Sequence, residues 1–256
     1  MSKIEEKPIY EKNIYMALLA HECGRYEEMF KFMEDLVIQK NKDLSLKERE
    51  FLTYGYINYI QTKRKALHMV MAYETKEKKK ENSFFLMYIQ EYRNKIELEL
   101  TQSCQRICYI LDSLLIKKAE NIETKIFYRK LKGDLNRYVG EYAKDDLKEK
   151  VMKDGLIAYQ EAIKMSKELP ILNEVLLGLS LNMSLFYYEV MKETKKAIEI
   201  SNECAIKIDK ELPNFDATNE NNKVIITLVN LIKDNLAHWK AEEAAEQSNN
   251  KKIINN

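Results

Sequence analysis

Apolar residues recur along the chain at intervals of three and four, as at Tyr26, Met29, Phe30 and Met33. This spacing places apolar side chains on one face of an α-helix, whereas a half-buried strand would alternate every second residue. Sustained alternation is absent from the sequence. The pattern therefore predicts an all-α protein of about nine helices.

Local signals mark where these helices begin and end. Gly24 can adopt the left-handed conformation that ends a helix, and Ser45 with Glu48 forms a capping-box sequence at a helix start. The charged run 76–82 lacks an apolar stripe and predicts a solvated turn. Helices are predicted at residues 8–23, 26–40, 45–77, 83–116, 122–142, 145–166, 172–191, 194–209 and 220–240.

Long helices joined by short turns predict an antiparallel layered array. Only six Gly and three Pro interrupt the chain, and no linker divides it. Residues 1–240 are expected to form one helical domain, and 241–256 a flexible polar C-terminal tail.

Charge and cysteine content narrow the class of protein. The 42 Lys and Arg balance 41 Asp and Glu, so a net charge of +1 gives no reason to expect nucleic-acid or membrane-surface binding. No apolar run approaches the ~20 residues of a membrane-spanning helix. Four scattered cysteines and an N-terminus without a signal-peptide pattern predict reduced thiols and a cytoplasmic protein.

The usual catalytic and metal-binding patterns are missing. The sequence contains no phosphate-binding glycine loop, His-Glu-x-x-His or Cys-x-x-Cys, and its three histidines are isolated. Cys104 and Cys108 lie one turn apart, but no further ligand pattern completes a site, so core packing is the better interpretation. Asp145 and Asp146 resemble half of a magnesium site, yet acids at a helix start also stabilise its dipole. We expect no enzyme activity, metal or cofactor.

One predicted helix carries residues suited to phosphate binding. Lys130 and Arg137 are seven residues apart on one face, and Tyr138 follows the arginine. Asp134 and Glu141 lie one turn either side of Arg137, where a carboxylate can fix its guanidinium. An arginine held in this way can bind phosphate through two parallel hydrogen bonds.

Other helices offer a second basic patch and two mixed faces. Arg64 lies between Lys63 and Lys65 on the third predicted helix. Taken alone, each basic patch is more typical of a solvated face. Two more faces each set an asparagine among apolar residues, where an amide can hold a peptide backbone while leucines contact its side chains. These faces comprise Leu181, Asn182, Leu185 and Glu189 on one helix, and Leu228, Leu231, Asn235 and Trp239 on the last.

At these positions the sequence resembles the 14-3-3 family. The matching segments run in family order across about residues 8–240: Arg25-Tyr26-Glu27-Glu28-Met29, Glu91-Tyr92-Arg93-Asn94-Lys95-Ile96-Glu97, Ile126-Phe127-Tyr128, Lys132-Gly133-Asp134, Arg137-Tyr138, Leu177-Gly178-Leu179-Ser180-Leu181-Asn182, Phe186-Tyr187-Tyr188-Glu189, and Asp234-Asn235-Leu236 with Trp239. The resemblance implies nine antiparallel helices in a cup-shaped array, a dimer formed by the N-terminal helices, and a groove for phosphoserine or phosphothreonine peptides.

The resemblance also implies a role for each matching residue. Phosphate would be held by Arg64, Arg137 and Tyr138 with help from Lys130. The peptide backbone would be held by Asn182 and Asn235, beside an apolar wall of Leu181, Leu185, Leu228 and Leu231. Cross-dimer salt bridges would pair Arg25 with Glu99 and Glu28 with Lys95, with Leu19 and Tyr92 at the same interface.

The sequence departs from the family on one wall of the groove. Ile57 stands where the family carries a phosphate-contacting lysine, and Tyr54, Leu67 and His68 also differ from the family pattern. Lys63 and Lys65 are each offset by about 100° around the helix from Arg64, so neither is expected to replace that lysine.

Three functional hypotheses follow. The first is an adaptor that binds phosphorylated client proteins and forms a homodimer or a heterodimer with a family paralogue. The second is a scaffold of the same fold with weakened or lost phosphopeptide binding. The third, from a different class, is a helical enzyme that uses Asp145 and Asp146 with magnesium.

Overall fold

A computed structural model describes residues 9–40, 42–80 and 83–254, with only the backbone for 9–10 and 246–254. Over these residues the chain forms nine helices and no strand, which confirms the all-α prediction. The helices are α1 (Ile9–Glu22), α2 (Tyr26–Gln39), α3 (Leu46–Glu77), α4 (Leu86–Ile110), α5 (Ile122–Gly140), α6 (Asp145–Met165), α7 (Glu174–Phe186), α8 (Thr194–Glu211) and α9 (Lys223–Ile254).

The structure confirms the local signals that predicted where helices begin and end. Gly24 has φ +67° and ends α1. The Ser45–Glu48 capping box is formed: the Glu48 carboxylate accepts from the Ser45 amide at 2.6 Å, and the Ser45 hydroxyl accepts from the Glu48 amide at 3.4 Å. Asn121 and Asn173 cap α5 and α7 through their side-chain oxygens. The helix boundaries predicted from the sequence are accurate here because a cap involves only neighbouring residues.

The helices form two compact units, which are α1–α4 and α5–α9. In the first unit, α2 packs on α1 and α3, and α3 packs on α4. Its core is closed by side chains that are almost fully buried: Met29, Met33, Leu36, Ile60, Leu67, Leu100 and Leu111.

In the second unit, α5 packs on α6 and α7, and α9 packs on α7 and α8. One core cluster joins these helices through Ile126, Tyr159, Leu179, Met183, Phe186 and Trp239. A second cluster contains Leu177, Leu181, Cys204, Ile208, Val229 and Ile232. This packing fixes the mutual positions of α5 and α7, the two helices that carry half of the residues predicted for the phosphate and peptide site.

The structure differs from the predicted boundaries in three places. The helix predicted at 83–116 contains a π-turn at Leu111–Leu115 and ends at Lys118, and α7 continues into a second π-turn at Tyr187–Met191. The last helix was predicted to end at residue 240, but its backbone stays helical to Ile254. The flexible tail and the single domain over 1–240 stay predictions.

Two general properties follow from the described helices. None of them combines the length and the apolarity needed to cross a lipid bilayer. All four cysteines are free thiols, and Cys104 and Cys204 are buried. Of the two cysteines predicted to pack in the core, Cys104 is buried there, whereas Cys108 is half-buried.

Candidate functional site

Arg137 is the most constrained cation of the predicted site. Its side chain is only 9% exposed, and its Nη1 donates to Glu189 Oε2 at 2.7 Å and lies 3.6 Å from Glu141 Oε1. The guanidinium also lies over the Tyr138 ring, 4.8 Å from its centroid. The sequence predicted Glu141 and Asp134 as its partners. Glu141 is confirmed, but the nearest carboxylate is Glu189, which the π-turn after α7 carries.

The surroundings of Arg137 keep it positively charged. Burial lowers the pKa of its guanidinium, but Tyr159, Tyr138, Asp134 and Glu189 raise that pKa more, so it lies above its ordinary value. Its Nε is buried and, among the residues that the structure describes, donates to no acceptor. A buried N–H without an acceptor is unfavourable by about 1–3 kcal/mol. Arg137 is thus a buried cation whose orientation is fixed by Glu189, Glu141 and Tyr138.

Asp134 joins three polar side chains beneath the site. Its Oδ2 accepts from Lys130 Nζ at 2.8 Å, and its Oδ1 accepts from Asn182 Nδ2 at 2.8 Å and from the Tyr159 hydroxyl at 2.7 Å. The sequence assigned Asp134 to Arg137, whereas its hydrogen bonds go to these other groups. It thereby links Lys130 on α5 to Asn182 on α7, two residues that the sequence placed in different parts of the site.

Tyr159 is a member of this network that sequence reasoning missed. The side chain is fully buried in α6, and burial, with the nearby Asp134 carboxylate, raises the pKa of its phenol well above the ordinary value. The phenol is thus neutral and can donate. Its ring passes so close to Gly133 that a Cβ there would lie 2.5 Å from Tyr159 Cε1. In the sequence, the only local indication of this contact is the Gly133-Asp134 pair, because a glycine before the aspartate leaves room for the Tyr159 ring.

The predicted apolar walls divide into buried and accessible residues. Leu181 belongs to a core cluster, and Trp239 is 2% exposed, with its ring stacked on Tyr188 at 5.0 Å. Leu185 and Leu228 are half-buried against the same core cluster as Leu181, and Leu231 is 44% exposed. Asn235 is half-buried on α9. The half-buried and exposed residues are the ones able to contact a ligand directly.

The predicted site residues on α3 lie in the first unit. Arg64 is half-buried, and its Nη1 donates to Gln61 Oε1 at 3.2 Å. Ile57 is 42% exposed one heptad before it. Lys63 points elsewhere, since its Nζ lies 3.0 Å from Glu99 Oε2 and over the Tyr59 ring. That Arg64 and Arg137 face one groove stays a prediction.

The predicted dimer residues lie on the surface of the first unit. Leu19 on α1 and Tyr92 on α4 are 45% and 56% exposed, and Lys95 is exposed on α4. Within the chain, Arg25 pairs with Glu28, and Glu99 pairs with Lys63. The cross-dimer bridges implied by the resemblance stay predictions.

The acidic pair considered for magnesium starts a helix. Asp145 and Asp146 lie in the first turn of α6, as the dipole interpretation predicted. Over the described residues, no group of three or more His, Cys, Asp or Glu is arranged to hold a metal ion.

The helix order and the polar contacts between α5 and α7 define an all-α protein with a structured polar site. Comparison with known proteins identifies its family. The profile of the family described as 14-3-3 protein matches residues 16–240. A "14-3-3 protein homolog" of Trichoderma harzianum is 37% identical over 237 residues, covering 92% of this chain and 89% of that protein.

Two further relatives come from other organisms. The "14-3-3-like protein A" of Hordeum vulgare is 35% identical, covering 92% of this chain and 90% of the barley protein. The "14-3-3 protein 2" of Entamoeba histolytica is 34% identical, covering 90% and 95%. The chain therefore belongs to the 14-3-3 family. It is a non-enzymatic adaptor or scaffold that acts through protein partners, in a family that dimerises.

Proposed function

We propose that the protein binds client proteins through a phosphorylated serine or threonine, with Arg137 as the principal phosphate ligand. The observation that carries the proposal is the buried guanidinium of Arg137, which Glu189 and the Tyr138 ring hold in one orientation. Phosphate oxygens are strong acceptors that match the fork of donors on an arginine. Tyr138 and Lys130, on the same helix, would add a phenol and an ammonium.

The hydrogen-bond geometry of Asn182 supports a role in holding the peptide backbone. Its Nδ2 donates to Asp134, which fixes the orientation of the carboxamide. Its Oδ1 is then the atom directed away from Asp134 and is an acceptor for a peptide N–H. Asn235 would act in the same way from α9, and Leu185, Leu228 and Leu231 would contact apolar side chains of the client.

The protein is proposed to act as a dimer in the cytoplasm. Leu19 and Tyr92 would supply apolar area to the interface, and Arg25, Glu28, Lys95 and Glu99 would supply complementary charges. Because exposed ion pairs contribute only about 0–1 kcal/mol each, the apolar residues should provide most of the stabilisation. The partner would be a second copy or a family paralogue.

Fluorescence anisotropy with matched phosphorylated and unphosphorylated peptides tests the proposal. We expect the phosphorylated peptide to bind at least tenfold more tightly, since a charged hydrogen bond contributes about 1.5–3 kcal/mol. Arg137→Lys should abolish most of this difference because it keeps the charge but removes the fork. Arg129→Lys is the matched control, since Arg129 lies on the same helix and pairs with Glu161.

The alternative is a scaffold that does not depend on phosphate. The exposed Ile57, in the position of a phosphate-contacting lysine, favours this alternative. Equal binding of the phosphorylated and unphosphorylated peptides by the natural chain, with Arg137→Lys unchanged, would reject phosphate recognition and favour the scaffold.

A further inference from the structure

One solvent-facing stripe of α3 changes in character along its length. Residues at intervals of three and four, which share a helix face, are Glu50, Tyr54, Ile57, Gln61, Arg64 and His68. Tyr54 and Ile57 are 43% and 42% exposed, so much of each large apolar side chain is accessible to solvent. The stripe therefore has an apolar half followed by a basic half.

The basic half is organised around Arg64. The Gln61 carboxamide accepts from Arg64 Nη1 at 3.2 Å and so holds the guanidinium on the stripe. Because its oxygen accepts from the arginine, Gln61 turns its own N–H donors away from that guanidinium. The position of the Arg64 guanidinium on the stripe is therefore fixed by a neutral side chain, and its positive charge is not cancelled by this contact.

The apolar half is held in a fixed shape. The Tyr54 ring packs edge-on against His21, with centroids 4.7 Å apart, and lies 6.0 Å from Tyr26. A hydrogen bond between the Tyr54 and Tyr26 side chains accompanies this packing and raises the pKa of the Tyr54 phenol. An aromatic wall that is already ordered loses little conformational entropy when a ligand side chain contacts it. Ile57 extends the same surface towards Arg64.

We infer that this stripe selects phosphopeptides with a large apolar side chain two to five residues from the phosphorylated residue. The inference rests on the proposed phosphate-binding function and on Arg64 as a phosphate ligand, the role that the family resemblance implies for it. Seven residues of helix separate Ile57 from Arg64 and ten separate Tyr54 from it, which correspond to about 10 and 15 Å at 1.5 Å per residue. An extended peptide advances about 3.3 Å per residue, so these distances span roughly three and four to five peptide residues.

A leucine scan tests this inference. The reference is a short phosphoserine peptide that is otherwise alanine and serine, and leucine is placed singly at each of the five positions on either side of the phosphoserine. We expect leucine two to five residues away, on one side only, to tighten binding by about five- to tenfold, as burial of part of a leucine side chain provides. The measured quantity is the ratio of the affinities for the leucine and reference peptides.

Variants of the stripe connect the effect to these residues. Ile57→Ser and Tyr54→Ser should bring the affinity ratio close to one, while Tyr54→Phe should keep it because the aromatic wall remains. Ile157→Ser is the matched control, since Ile157 is a similarly exposed isoleucine at 44% in the second unit, and it should leave the ratio unchanged. Circular dichroism of each variant confirms folding, and Ile57→Ser gives the answer if Tyr54→Ser unfolds.

The possible outcomes separate the two proposals. If the phosphopeptide binds but the leucine scan is flat, or the preference survives in Ile57→Ser and Tyr54→Ser, the stripe does not select the peptide and only the inference fails. If phosphorylation has no effect on binding, the proposed function fails, and the inference fails with it.

Discussion

The hydroxyl of Tyr159 donates to Asp134 Oδ1 at 2.7 Å, on the same oxygen that accepts from Asn182. A buried residue on α6 thereby helps to position a side chain of the proposed peptide site on α7. The stability of the second unit and the geometry of the proposed site therefore both depend on the Asp134 carboxylate.

Tyr159→Phe should therefore destabilise the protein. The variant keeps the ring but leaves the buried Asp134 with one donor fewer, which typically lowers the free energy of unfolding by about 1–3 kcal/mol. Urea unfolding monitored by circular dichroism measures the effect. Tyr109→Phe is the control, because Tyr109 is 63% exposed and should lose almost nothing. Equal stabilities of the two variants would show that this hydrogen bond contributes nothing.

Gly133→Ala and Gly178→Ala should have opposite effects. At Gly133 a Cβ would lie 2.5 Å from Tyr159 Cε1, so the ring must move and overpacking should cost about 1–3 kcal/mol. At Gly178 the closest atom is Lys130 Cε at 3.5 Å, an ordinary contact, and replacing a mid-helix glycine by alanine should stabilise by about 0.5–1 kcal/mol. The melting temperatures of the two variants show whether each substitution stabilises or destabilises the protein. A Gly133→Ala protein as stable as the natural chain would contradict the close approach of the Tyr159 ring to Gly133.

Glu74 should make the first unit sensitive to acid. Hydrogen bonds from Lys78 and Arg93 lower the pKa of the Glu74 carboxyl from 4.5 to about 2. The stabilisation that the charged Glu74 carboxylate provides is therefore fully present above pH 4.5 and is lost as the pH falls towards 2. Glu74→Gln should lower the free energy of unfolding by about 1–3 kcal/mol at pH 7. Denaturant unfolding at pH 7, 4 and 2.5 should show this difference shrinking, whereas the exposed Glu220→Gln should show none.

Ile57→Lys should strengthen phosphopeptide binding. The lysine adds a cation one heptad from Arg64, and because it must lose some hydration beside other cations the gain should be about 1–2 kcal/mol. Calorimetry should show the gain decreasing in 1 M salt, where the screening length is about 3 Å. Ile157→Lys, at a similarly exposed position, is the control. Equal affinities of Ile57→Lys and the natural chain would place Ile57 outside the site.

The N-terminal helices should form the dimer interface. Light scattering at tens of micromolar should give twice the chain mass, and Leu19→Glu with Tyr92→Ala should shift the protein towards the monomer by removing apolar area. Tyr109→Ala removes a similarly exposed tyrosine from α4 and should leave the mass unchanged. A monomeric natural chain would refute the assembly.

The sequence predicted most of the helix boundaries because their causes are local. Gly24 and the Ser45–Glu48 box act on backbone groups within four residues, so their effect can be predicted without knowing the fold. The π-turn at Tyr187–Met191 was missed, since its apolar spacing differs by too little from that of an ordinary helix.

The partners of charged residues depended on the tertiary structure. By itself the sequence determined the all-α class, the family resemblance and the identity of Arg137, Lys130 and Asn182 as candidate ligands. It paired Arg137 with carboxylates one turn away because spacing along a helix is all that a sequence reveals about neighbours. The packing of α5 on α6 and α7 instead brought Glu189 to Arg137 and Tyr159 to Asp134, residues 52 and 25 positions apart in the chain. Hydrogen bonds across such separations are set by how helices pack, and only the folded chain decides that.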